Sequence, residues 1–226
     1  MHLKLTKYDI IAQYRQGFYL VYGIITVIYI FILASVPAEA RQVVTAYFIV
    51  SDTSIMGMVF VGAMVLLEKQ QNILQSIFIT PLKLSDYLWA KVISLTLIAV
   101  LVSSLIGFVP GGMLSNWWLM LIAVLLSSVF FTFLGLGIAA RVSTLNGYIA
   151  GIVLGGSIAG IPIAGYFFFH DLSLIFPVNA AVELMVVQPG KLGILNGTMC
   201  VLSLFIWCFI GYVYAKKQFE KSVIQN

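Results

Sequence analysis

From Trp117 to Ala140 the chain reads WWLMLIAVLLSSVFFTFLGLGIAA, without a charged residue until Arg141. At a rise of ~1.5 Å per residue this is roughly 36 Å of apolar helix, enough to cross a hydrocarbon core of ~30 Å. Five further stretches of comparable character lie near 18–36, 46–67, 92–113, 148–169 and 194–215. The sequence therefore predicts an all-α, polytopic membrane protein with six transmembrane helices, forming one domain over residues 1–226. Composition agrees: 62% of residues are hydrophobic, 9% are charged, and mean hydropathy is +1.07. A soluble fold of this length has too little interior to hide that much apolar surface. The six spans use most of the chain and leave no room for a soluble catalytic domain.

Orientation follows from the basic residues. With the N-terminus in the cytoplasm, Lys4, Lys7, Arg15, Lys69, Lys83, Lys91, Arg141, Lys216, Lys217 and Lys221 lie inside and only Arg41 and Lys191 outside, ten of twelve. The positive-inside rule then places both termini in the cytoplasm. The net charge of +4 needs no nucleic-acid partner, because basic residues beside anionic lipid account for it. The run Phe18 to Val36 is longer than the 7–15-residue core of a signal peptide, so it is expected to be retained as a span, despite Ala38-Glu39-Ala40 behind it. Cys200 and Cys208 are eight residues apart in one span, ~12 Å along a helix and too far for a disulfide.

Three segments frame the spans. Residues 1–16 have Leu3, Leu5, Tyr8, Ile11, Ala12 and Tyr14 near one side, with Lys4, Lys7 and Arg15 available to headgroups, the pattern of an interfacial amphipathic helix. Residues 170–193, with Pro177, Asn179 and Pro189, hold apolar pieces too short to span, and are expected to form an interfacial or re-entrant hairpin on the outer face. The fifth span carries Gly147, Gly151 and Gly155 at spacing four, and Gly156 with Gly160 on an adjacent row. Such ridges allow close helix packing, either within the protomer or against a second one. Asp52, with Thr53 beside it, lies inside the second span. An ionisable group there is costly and must face protein or water, which suits a polar point on a transport route or a structural hydrogen-bond anchor.

The longest polar connection is residues 68–91, EKQQNILQSIFITPLKLSDYLWAK. Ile73, Leu74, Ile77 and Phe78 form one helical stripe, with Gln71, Asn72, Gln75 and Ser76 opposite. Pro81 ends this helix, and Ser85 is placed to N-cap a second one, with Asp86 in its first turn. One reading is a helix lying passively on the bilayer. The other is a coupling helix that docks in a groove of a cytosolic motor.

The stretch resembles the permease subunits of ABC-2-type ATP-binding-cassette exporters, whose loop after span 2 runs acidic–basic, then Thr-Pro-Leu, Tyr-Leu and Lys. Here these are Glu68-Lys69, Thr80-Pro81-Leu82, Tyr87-Leu88 and Lys91. The run from Phe60 to Lys69, with Asp52 before it, is similar to permeases of fluoroquinolone and multidrug exporters. Asn72 stands where that family usually has glycine, and asparagine also tolerates the left-handed conformation. The resemblance implies coupling to an ATPase through Glu68, Lys69, Ile73, Leu74, Ile77, Phe78, Pro81, Tyr87 and Lys91, and a transport pathway at Asp52 and Thr53. It also implies two copies of a cytosolic ATPase carrying ATP and Mg, a second permease protomer, identical or related, and a bacterial plasma membrane. The chain has no G-x-x-x-x-G-K-[ST] and is not expected to bind nucleotide or any cofactor itself.

Two other classes stand beside the exporter: the substrate-binding membrane subunit of a vitamin importer, and an intramembrane serine protease. The protease needs a nucleophile and a base, but Gly155-Gly156-Ser157-Ile158 lacks the final glycine of a Gly-x-Ser-Gly loop. The histidines, His2 and His170, lie outside the spans. No metal site is expected for the same shortage of His and Cys.

Overall fold

The computed structural model describes residues 2–51, 56–74, 82–108, 117–160, 174–186 and 194–224. Within them the fold is all helical: α1 (His2–Arg15), α2 (Phe18–Ser35), α3 (Ala38–Ser51), α4 (Gly57–Gln70), α5 (Leu84–Gly107), α6 (Trp117–Arg141), α7 (Leu145–Gly160), α8 (Pro177–Val186) and α9 (Ile194–Phe219), the last running on into a π-helical turn, Glu220–Ile224. Among the described residues, four helices are long and apolar enough to cross a membrane: α2, α5, α6 and α9, the last counted over Asn196–Ser222. The described residues of the second apolar stretch lie in α3 and α4. Asp52 and Thr53 fall outside the described residues.

The uncharged run from Trp117 to Ala140 forms the body of α6, the central helix. It packs against α4, α5, α7, α8 and α9, and most of its side chains are buried. By contrast α2, α7 and α9 turn Leu20, Ile24, Phe31, Val153, Leu154, Phe205 and Phe209 outward, as helices with an apolar solvent on one side do. Small residues allow the close approaches. A Cβ at Gly151 would lie 2.5 Å from Ile138 Cγ2, and one at Gly155 would lie 3.1 Å from Ile138 Cδ1, so this glycine row is filled by α6 of the same protomer. Gly147 serves the helix start instead, its N–H donating to Thr144 Oγ1 at 3.2 Å. Gly156 is in ordinary contact with Met58, and Gly160 closes α7.

Three details differ from the sequence reading or sharpen it. Ser85 does not cap a separate short helix. One continuous helix starts at Leu84 behind an extended Lys83 with no side-chain cap, and the Ser85 hydroxyl pairs with Tyr212 Oη at 3.1 Å. Asn72 does take the left-handed conformation, with φ +56°. Within 170–193, Pro177–Val186 is a buried helix wedged among α3, α6 and α9, with Gln42 donating to the Val186 carbonyl at 3.0 Å.

Candidate functional site: the two ends of the 68–91 loop

Helices α4, α6 and α9 end, and α5 and α7 begin, at the end of the bundle rich in basic residues. Two adjacent residues at the exit of α4 reach in different directions. Lys69 turns to α6, where its ammonium donates to the carbonyls of Ala139 at 2.8 Å, Ala140 at 2.7 Å and Val142 at 3.0 Å. These carbonyls close the C-terminal turn of α6, where acceptors lack helical partners and the dipole favours a cation.

Glu68 turns to α5. Its Oε1 bonds the Lys91 ammonium, and its Oε2 accepts from the Tyr87 hydroxyl at 2.6 Å. Lys91 also donates to Asp9 Oδ1 at 2.6 Å and lies 5.3 Å from the Tyr87 ring centroid. The Lys91 side chain is 2% exposed, against 17% for Glu68 and 14% for Asp9. One ammonium thus faces two carboxylates in a largely dry site. Burial pushes the Asp9 carboxyl above its usual value, and the Lys91 charge only partly pulls it back. Beside this cluster Gln13 donates to Ser94 Oγ at 2.8 Å and approaches Met64 Sδ at 3.7 Å, while Tyr87 packs on Phe219 of α9, ring centroids 5.7 Å apart.

Of the residues singled out for coupling, Glu68, Tyr87 and Lys91 are brought together, and Lys69 lies beside them. Lys91 and Tyr87 are buried, so neither side chain is a contact surface for another protein. Of the apolar stripe, Leu74 is buried and Ile73 is exposed. Ile77, Phe78 and Pro81 lie outside the described residues. Asp9 and Gln13 were not singled out from sequence. The available signal was the spacing of Thr6, Asp9 and Gln13, a polar stripe on a helix that otherwise reads as a membrane-surface element.

The sequence pattern of the fluoroquinolones export permease protein family matches residues 2–226. The chain belongs to that family. Two proteins from Mycobacterium tuberculosis, strains CDC 1551 / Oshkosh and ATCC 25618 / H37Rv, each called a fluoroquinolones export permease protein, are 31% identical to this permease over 107 residues. That match covers 47% of this chain and 45% of each relative, so it spans about half the length of these relatives. The family is one of export permeases, membrane transport subunits rather than enzymes. Neither the importer nor the protease alternative gains any support from it.

Proposed function

We propose that this permease is the membrane half of an ATP-driven exporter, coupled through the 69–80 segment, which leaves α4 after Gln70 by the turn at Asn72, to a separate cytosolic ATPase that carries the ATP and Mg. Six spans, with both termini in the cytoplasm of a bacterial plasma membrane, place the 68–91 loop on the ATPase side, in accord with the distribution of Lys and Arg. Two permease protomers and two ATPase subunits complete the assembly. The cargo is hydrophobic or amphipathic; the sequence leaves drug, peptide and lipid open, and among these the names of the relatives favour a drug of the fluoroquinolone class.

The observation that carries this reading is that both ends of the loop are clamped. Glu68 and Lys69 tie its start to α5 and α6, while Lys91 and Tyr87 tie its end to α1, α4 and α9. A push on such a loop moves helices, whereas a push on a loop with free ends is absorbed by it. Within this mechanism Ile77 and Phe78 meet the ATPase, and Glu68, Lys69, Tyr87 and Lys91 position the loop from behind. Asp52 and Thr53 belong to the cargo route. The direct test is uptake of the fluoroquinolone norfloxacin into inside-out vesicles containing the permease and its ATPase. ATP-dependent uptake that requires both chains is expected, and uptake by the ATPase-free permease, or by neither, refutes the reading.

A further inference from the structure

The N-terminal helix is seated on the bundle by its polar side. Thr6, Asp9 and Gln13 follow helical spacing along one face. Thr6 and Gln13 are buried, while Tyr8, Ile11 and Tyr14 point away from the protein. Tyr14 meets the half-buried Tyr19 of α2, ring centroids 6.2 Å apart, so the aromatic face of α1 adjoins the start of α2. An amphipathic helix needs only that apolar face to rest on a bilayer. It does not need a carboxylate placed against a buried ammonium.

Nor does the ammonium need this carboxylate. Lys91 is already matched by Glu68, and a buried pair is electrically balanced at one to one. Adding Asp9 leaves the cluster with an excess negative charge and incurs the desolvation of a second acid, which makes stability a poor reason for its presence. What the second acid adds is connection. The groups facing Asp9 are Lys91 and Tyr87 from α5 and Glu68 from α4. They are the residues that bracket the 68–91 loop.

We infer that Asp9 is a positioning residue of the permease: through Lys91 and Glu68 it makes α1 and the two ends of the loop move as one unit. This rests on the exporter reading. Asp9 touches neither cargo nor ATPase. It fixes the angle from which the loop meets its motor, and it carries loop movement to a helix whose outer face adjoins lipid.

The test uses the complete permease–ATPase complex in proteoliposomes, with norfloxacin as probe. Norfloxacin molecules moved per ATP hydrolysed are measured for wild type, Asp9→Asn and Asp9→Glu. In parallel, Thr6→Cys is labelled with a maleimide in each background, with Cys200 and Cys208 replaced by alanine. Asp9→Asn is expected to assemble with the ATPase yet move about tenfold less norfloxacin per ATP, the scale of one lost charge-assisted hydrogen bond. The thiol of Thr6→Cys should be protected while Asp9 is intact and become reactive in the Asp9→Asn background, and Asp9→Glu should restore both measures. Transport per ATP that is unchanged in Asp9→Asn complexes, whether or not labelling rises, overturns the coupling role. Labelling that is unchanged overturns the claim that Asp9 holds α1. A wild-type complex that moves no norfloxacin and shows no stimulated hydrolysis refutes the exporter reading instead, a result the labelling arm keeps separate.

Discussion

Lys69 donates to the Ala140 carbonyl at 2.7 Å, so the last basic residue of one helix caps the C-terminus of another that lies seventy residues further along. The chain thereby locks the start of its longest polar loop to the central helix. Lys69→Met removes three donated bonds and a favourable charge at a helix end, a loss of about 1–2 kcal/mol. A lower thermal unfolding temperature in detergent is expected, and an unchanged one would show that the cap contributes nothing.

The cluster of Asp9, Glu68 and Lys91 follows charge arithmetic. Glu68→Gln leaves Lys91 with one carboxylate and a neutral site, so its effect on stability is small. Lys91→Met leaves two carboxylates facing each other in a dry pocket, and breaking a buried ion pair in this way costs about 3–5 kcal/mol. The triple variant Asp9→Asn, Glu68→Gln, Lys91→Met removes all three charges and recovers most of that loss. Thermal unfolding of the purified permease ranks the variants. A triple variant as unstable as Lys91→Met would contradict the account.

Tyr148 fills a notch that two glycines leave open. Its hydroxyl donates to the Met58 carbonyl, and a Cβ at Gly62 or Gly135 would collide with its ring or hydroxyl. Overpacking of a filled site costs ~1–3 kcal/mol, so Gly62→Ala should destabilise the permease. Combining it with Tyr148→Ala, which empties the notch, should make the two changes less than additive. Full additivity in unfolding experiments would separate the two residues and refute the contact.

The apolar spans were legible because their signal is local: α2, α5, α6 and α9 lie on apolar runs visible by eye. The left-handed Asn72 was legible for the same reason. The ion cluster was not, because its members are scattered in sequence and each looks like an interfacial charge. Lys91 counts toward the basic end by position, yet it is buried two turns inside α5. Ser85 misled because a serine before an apolar helix is a good N-cap in isolation, while Tyr212, far along the chain, offers its hydroxyl a partner. Gly62 and Gly135 could be read only with Tyr148 in place, since a glycine inside a span signals close approach without naming what approaches.

In the proposed mechanism the 68–91 loop transmits the work of a separate ATPase. The most direct measurement is recovery of that ATPase by the solubilised permease, with its stimulated hydrolysis, for wild type and for the double variant Ile77→Ala, Phe78→Ala. Apolar anchors in a helix-in-groove contact lose about 2 kcal/mol on truncation, roughly thirtyfold in affinity. ATPase recovery is expected to fall by that order and stimulated hydrolysis to disappear, while the permease still inserts in the membrane. Equal recovery with equal stimulated hydrolysis would contradict that mechanism.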